Sequence, residues 1–350
     1  LNNIIVAIDA MGGDHGPAVT VPASLAALAK HPHLHLLLVG DETVLRETLK
    51  SHLYDQARLT IHHASQQVGM DEEPASALRT KKDSSMRVAI NLVQEGEASA
   101  CVSAGNTGAL VATARFVFKT LPGIDRPAII SSFPTIERGK KVRMLDLGAN
   151  VDSSVDTLVQ FAVMGSVLAS AVDNTPSPSV YLLNIGEEEI KGNEQVKQTA
   201  QRLSQLNAIH YAGFIEGDAI FSGKADLVVC DGFVGNVALK ASEGIAMLIG
   251  KFLKDAFNQN LLTRCLGILV MPLLKTLKKR IDPARYNGAM LIGLNKIVIK
   301  SHGGARCAGF ANAIEEALIV AQKNVPDRIR EKVQQLLHNH TSTDTNSEST

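Results

Sequence analysis

The 350-residue chain has no tryptophan, only four tyrosines and only four cysteines. Cys101, Cys230, Cys265 and Cys307 lie far apart and form no C-x-x-C pair. That spacing excludes zinc ribbons and disulfide scaffolds and fits a reducing cytoplasm. Neither sign of charge prevails: 35 Lys+Arg against 35 Asp+Glu leave a formal net charge of zero. Such neutrality argues against a general nucleic-acid binder, so no nucleic acid is expected as a partner. Long apolar runs are also missing. The longest nearly unbroken one, 265–274, is about half of the roughly 20 residues a spanning helix needs. The N-terminus enters Ile4-Ile5-Val6-Ala7-Ile8-Asp9 without a basic start or a cleavage site, and no signal peptide is expected. Nucleotide motifs do not fit either. No G-x-G-x-x-G follows the first apolar run, and 218–225 differs from a P-loop by Asp218 and Ala225 at its diagnostic positions.

What is present reads as globular: 45% hydrophobic and 20% charged residues, enough for one large or two ordinary domains. Short Val/Ile/Leu-rich runs predict strands at 4–9, 34–39, 59–63, 100–103, 128–133, 142–146, 180–184, 227–230 and 297–301. Most lack alternation, as strands buried on both faces of a mostly parallel sheet do. Helical periodicity marks 19–30, 110–119, 157–171, 194–205, 237–253 and 311–323. The alternation predicts a doubly wound, Rossmann-like three-layer α/β/α fold in a single domain, 1–338, with ligands at the carboxyl ends of the strands. The tail 339–350 has no apolar residue and is expected to be disordered.

Glycine-rich loops recur where strands end. They are Asp9-Ala10-Met11-Gly12-Gly13-Asp14, Ser103-Ala104-Gly105-Asn106-Thr107-Gly108, Asp146-Leu147-Gly148-Ala149-Asn150-Val151-Asp152, Asn184-Ile185-Gly186-Glu187-Glu188, Asp231-Gly232-Phe233-Val234-Gly235-Asn236 and Ser301-His302-Gly303-Gly304. Glycine lets backbone amides approach a ligand, and a following helix adds its positive end. One such loop means little; several at one sheet edge would form a phosphate-sized anion site. Asp9, Asp14, Asp146 and Asp231 lack ligand spacing, so no metal and no other cofactor is expected. Cys101 and Cys230 sit in apolar strands and read as core.

In order and spacing these loops resemble those of the PlsX family, the phosphate acyltransferases of bacterial phospholipid synthesis. Lys82-Asp83-Ser84-Ser85-Met86, Lys191-Gly192 and Val298-Ile299-Lys300-Ser301-His302-Gly303 extend the likeness over nearly the whole chain. The resemblance implies a homodimer with a fold similar to phosphotransacetylases and the isocitrate and isopropylmalate dehydrogenases. It also implies transfer of a long-chain fatty acyl group from acyl carrier protein to inorganic phosphate. The acyl phosphate would then serve a membrane glycerol-3-phosphate acyltransferase.

That reaction needs an anion held, oriented and aimed at a thioester carbonyl, with the oxyanion stabilised. Phosphate is itself the nucleophile, so positioning replaces a nucleophilic side chain. Within the motif around it, Lys191 is expected to hold phosphate. Asn236, read as opening the helix after Asp231, is expected to polarise the carbonyl; an ordinary N-cap is the alternative. Asp9, Gly12, Gly13, Asp14, Ser103, Gly105, Asn106, Thr107, Asn150, Asn184, Gly186, Asp231, Gly235 and His302 complete the expected phosphate and substrate site.

The segment 254–290 stands apart. From Ala256 to Ile281 it has no acidic residue, while Arg264, Lys275, Lys278, Lys279 and Arg280 are interleaved with Leu266, Leu269, Leu273 and other apolar residues. Two short helices meeting at Pro272 would present an apolar surface edged with positive charge. It suits an anionic membrane surface or the acidic carrier protein, or else packs on the core or in a dimer interface. A cytoplasmic enzyme peripherally bound to the inner face of the membrane is expected. Competing readings are a phosphotransacetylase using acyl-CoA, a non-catalytic peripheral scaffold and, by fold analogy alone, an NAD-dependent decarboxylating dehydrogenase.

Overall fold

A computed structural model describes residues 3–281 and 283–344. The strands are β1 (Ile4–Asp9), β2 (Leu34–Gly40), β3 (Leu59–His63), β4 (Ala100–Ser103), β5 (Ala128–Pro134), β6 (Lys141–Leu145), β7 (Ser179–Leu183), β8 (His210–Ile215), β9 (Leu227–Val229), β10 (Ala289–Ile292) and β11 (Ile297–Lys300). All eleven join one sheet in the order β3-β2-β1-β4-β11-β10-β5-β6-β9-β7-β8. Helices cover both faces. On one lie α1 (Pro17–Lys30), α6 (Val155–Asp173), α7 (Glu194–Ser204), α10 (Cys307–Gln322) and α11 (Val325–Asp344), over the core around Ile8, Leu145 and Phe161. On the other lie α4 (Ser85–Glu95) and α5 (Thr107–Phe118), over Cys101, Met144 and Val298. The short helices α2 (Glu42–Leu49) and α3 (Pro74–Thr80) and the long pair α8 (Gly232–Phe257) and α9 (Leu261–Ile281) complete the chain.

The expected strands are all present, within a residue at each end. Two more, β8 and β10, were not expected. β8 opens on His210 and Tyr211 and is interrupted by Gly213, and β10 starts at the C-terminal limit of the segment 254–290. β10 also decides the architecture. It pairs antiparallel with β11 and β5, and β5 pairs antiparallel with β6. Three reversals in a row mean that β6, β7, β8 and β9, parallel among themselves, run opposite to β1, β2, β3, β4 and β11. The two parallel groups therefore send their carboxyl ends to opposite edges of the sheet.

Arg143 of β6 is 2% exposed and its guanidinium donates to Asp173 of α6 at 2.5 and 3.0 Å, with Glu316 of α10 at 3.5 Å. Burial opposes its charge, but the Asp173 and Glu316 carboxylates together outweigh that and raise its pKa. The ion pair ties the strand to both helices that cover it.

Pro272 does not divide the basic apolar segment. It lies inside the single helix α9, which packs against α8. Leu266, Leu269 and Leu273 are 47%, 76% and 72% exposed. The side chains of Lys275 and Lys278 lie outside the described residues. Among the described residues two helices, α6 and α8, are long and apolar enough to cross a membrane; α6 is mostly buried in the core and α8 is mostly exposed. Polar residues interrupt both, which is why a search for unbroken runs passes over them. The backbone of α11 continues to Asp344, into the tail expected to lack structure, and 345–350 lie outside the described residues.

Candidate active site

The strand reversal splits the glycine-rich loops. Those after β1, β4 and β11 gather at one edge, and those after β6, β7 and β9 at the other. The expectation that they share one edge is corrected here, because neither β10 nor β5 was known to turn the sheet around.

At the first edge Asp9 is the anchor. Its carboxylate is 1% exposed and accepts the Ser85 and Ser103 hydroxyls at 2.6 Å each, with the Met11 and Gly12 amides alongside. Burial raises its pKa, and these donors offset part of the effect. Gly12 is required by proximity: a Cβ there would stand 2.5 Å from Asp9 Oδ2 and 2.9 Å from the Gly105 amide nitrogen. Asn106 caps α5 through Ala109 N, and its Nδ2 donates to the Met70 and Glu72 carbonyls at 2.8 and 3.0 Å. Asp9 and Asn106 thus spend their polar atoms on loop geometry. Thr107, Asp14 and His302 are exposed, the Asp14 amide donates to the Gly303 carbonyl at 3.0 Å, and His302 Nδ1 accepts the Gly304 amide. Gly13 lies in the left-handed region at φ +88°.

Lys300 completes this edge and was noticed in the sequence only as a neighbour of His302. It is 9% exposed, and its Nζ donates to the Ala104 carbonyl at 3.3 Å and to the Ser301 carbonyl. Burial pulls its pKa down to about 8; Asp9 and Asp14 oppose that, and Lys240 adds to it. The signal was present: a lysine closing an apolar strand directly before a glycine-rich loop.

At the second edge Asp146 holds the scaffold. Fully buried, it accepts the amides of Ile129, Gly148 and Ala149 on Oδ1 and of Asn150 on Oδ2. Asn150 Nδ2 is divided between Asp146 and the Pro127 carbonyl. The Asp231 side chain accepts the Val234 amide and so caps α8. Asn236 is therefore not the cap; it lies in the second turn, with an exposed side chain that has no hydrogen-bond partner among the described residues. It passes over Gly148, where a Cβ would stand 3.4 Å from Asn236 Cβ. Gly235 has no alternative, since its Cβ would meet the Asp146 carbonyl oxygen at 1.9 Å.

The loop after β7 joins them. Buried Asn184 donates to the Lys191 carbonyl at 3.2 Å, and Lys191 folds its stem against Gly186. Gln195 Nε2 donates to the Ser153 carbonyl of the neighbouring loop. Lys191 is exposed and its ammonium is in no ion pair among the described residues. Lys191 and Asn236 are thus the free donors of this edge, on a frame built by Asp146, Asn150, Asn184 and Asp231. Cys230 lies beneath it, its thiol pKa raised well above the ordinary value by burial and then by Asp231 and Asp146. It is core.

Exposed cationic and amide donors over amide-rich loops make this edge a candidate anion-binding site. Comparison with known proteins narrows this. Residues 4–328 match the family model described as "Fatty acid synthesis protein". The phosphate acyltransferase of Legionella pneumophila (strain Paris) is 57% identical over 97% of this chain and 98% of its own length. That of Nitrosococcus oceani is 59% identical over 93% and 96%. The chain belongs to the PlsX family of phosphate acyltransferases. Among solved structures, a phosphotransacetylase from Streptococcus pyogenes matches with TM-score 0.64 at 17% identity, covering 92% of this chain and 94% of its own. A 4-hydroxythreonine-4-phosphate dehydrogenase from Klebsiella pneumoniae matches at 0.53 and 16%, covering 92% and 100%. At these identities the likeness establishes the fold: the three-layer α/β/α architecture expected from the sequence, with a mixed sheet in place of a mostly parallel one.

Proposed function

We propose that the enzyme transfers a long-chain fatty acyl group from acyl carrier protein to inorganic phosphate, releasing acyl phosphate and free carrier protein. A phosphate oxygen attacks the thioester carbonyl carbon. The C–O bond forms, the C–S bond breaks, and the thiolate leaves and takes up a proton. Lys191 holds the dianion and offsets its charge. The Asn236 amide donates to the carbonyl oxygen as negative charge develops there, a contribution of about 3 kcal/mol for one such donor. Holding both reactants removes most of the entropic cost of the encounter. The observation that carries this reading is that Lys191 and Asn236 keep free polar ends above loops whose other polar groups are engaged.

The product is a mixed anhydride suited to glycerol-3-phosphate acylation by a membrane acyltransferase. The exposed apolar face of α8 and α9, carrying Ile249, Phe252, Leu262 and Leu269, fits peripheral contact with an anionic membrane, and a homodimer fits the family. The polar loops favour an enzyme over a scaffold, and the apolar face favours a lipid-linked donor over short acyl-CoA.

The test mixes the protein with palmitoyl-acyl carrier protein, with and without phosphate, and follows free carrier protein beside hydroxylamine-trappable acyl phosphate. Phosphate-dependent release of both is expected. Turnover with acyl-CoA alone would support the phosphotransacetylase reading, and turnover with neither donor the scaffold.

A further inference from the structure

Away from the apolar helices, basic side chains gather on one face of the molecule. Arg79, Lys81 and Lys82 lie at the end of α3, Arg87 in the first turn of α4, and Arg115 and Lys119 at the end of α5. Both α3 and α4 pack against α5. In a chain of zero net charge, none of these cations forms an ion pair among the described residues. The acid within the run, Asp83, is turned onto the Ser65 amide and hydroxyl. Glu95 and Glu97 stand at the far end of α4.

At the centre is Phe116, 53% exposed, with the Arg87 guanidinium 5.3 Å and the Lys119 ammonium 5.0 Å from its ring centroid. An exposed aromatic flanked by cations with no counter-charge is the composition of a binding hot spot. It is the only large apolar side chain exposed between 74 and 119. A lipid bilayer asks for more apolar area to insert, which α8 and α9 possess and this face does not. An acidic protein asks for spaced cations and one anchor.

The position matters as much as the charge. α5 begins at Thr107, in the loops of the first edge, and ends beside the patch. Its twelve residues span about 18 Å. The patch itself starts beside that edge, since Ser85, two residues before Arg87, bonds Asp9, and it extends along α5 to Lys119.

We propose that this face, centred on Phe116, Arg115 and Lys119, docks the acidic carrier protein that presents the acyl thioester. The inference rests on the carrier-protein reading of the donor given above. Charge complementarity here governs capture and orientation of the carrier and leaves the chemistry to the loops.

Arg115→Glu/Lys119→Glu and, separately, Phe116→Ala are assayed with acyl carrier protein and with acyl-pantetheine, which lacks the protein. KM for the carrier-borne donor is expected to rise about tenfold in the charge-reversed protein, while turnover of acyl-pantetheine stays within about twofold. In wild type, added salt should raise only the carrier-borne KM. Equal KM in variant and wild type, or equal losses with both donors, overturns the docking site. Loss of binding to vesicles of anionic phospholipid without a change in carrier KM would assign the patch to a membrane and also overturn it. Wild type inert toward the carrier-borne donor refutes the donor reading instead, so the two failures are told apart.

Discussion

Lys240 and Lys300 are rooted in opposite halves of the sheet, yet the charge of Lys240 lowers the pKa of Lys300. Lys240 lies one helical turn beyond Asn236 on α8, which starts at the second edge; Lys300 closes β11 at the first. α8 therefore runs from the second edge towards the first, so the two groups of loops are linked by a helix and not by a shared row of strand ends.

Lys300 gives a pH test. Its pKa is about 8 in the folded chain against about 10.4 unfolded. Below pH 8 the ammonium is charged in both states, and its burial costs stability. Between those values the unfolded chain holds a proton that the folded chain has lost, so stability rises with pH. Wild-type stability relative to Lys300→Met should increase from pH 8 to pH 10, by roughly 3 kcal/mol at most. Urea titrations at both pH values measure it; a constant difference would mean that the lysine is not held in a desolvating site.

Two glycines of α8 should respond oppositely to alanine. At Gly235 the new Cβ would meet the Asp146 carbonyl oxygen, whereas at Gly244 nothing stands within 4 Å. Gly235→Ala should cost about 3 kcal/mol or more through overpacking. Gly244→Ala should stabilise by up to about 1 kcal/mol through helix propensity. Thermal melts decide it, and equal behaviour would show that the helix start is not pressed against the Asp146 loop.

Lys191→Ala and Asn236→Ala remove exposed, unpaired groups and should leave the melting temperature nearly unchanged. Loss of the Asn236 donor should lower kcat about 100-fold or more. Loss of Lys191 should reduce kcat/KM for phosphate at least as strongly. Wild-type turnover in either variant would remove that residue from the proposed mechanism.

Leu269→Asp/Leu273→Asp places charge on the exposed face of α9. Binding to anionic vesicles should be lost, with turnover of soluble donor largely retained. Undiminished vesicle sedimentation would move the membrane contact elsewhere, with a dimer interface then the alternative for this face.

Local signals made much of the molecule legible. Apolar runs marked nine strands because strands buried on both faces carry no competing period, and six helices followed from periodicity. The loops were recognisable because glycine records close approach, as Gly12 beside Gly105 and Gly235 beside Asp146 bear out. β8, β10 and the helices α2, α3, α4 and α11 are not among the expected elements; β8 and β10 form only by pairing with strands distant in the chain. Asn236 is expected to open the helix, with a cap role as the alternative, because asparagine's cap preference is local; Asp231 takes that role because its carboxylate reaches the Val234 amide.

Sequence alone determined the family, the strand–helix alternation and the glycine-rich loops, and it singled out Lys191 and Asn236, whose exposure only the structure shows. Only the tertiary structure decided which loops are neighbours. Strand direction is set by pairing between segments far apart, Met290 with both Ile130 and Ile299, and no window of sequence contains that pairing. The same holds for Lys300. Its residue type was visible, but its burial arises only once β11 lies beside β4 and its ammonium meets the Ala104 carbonyl.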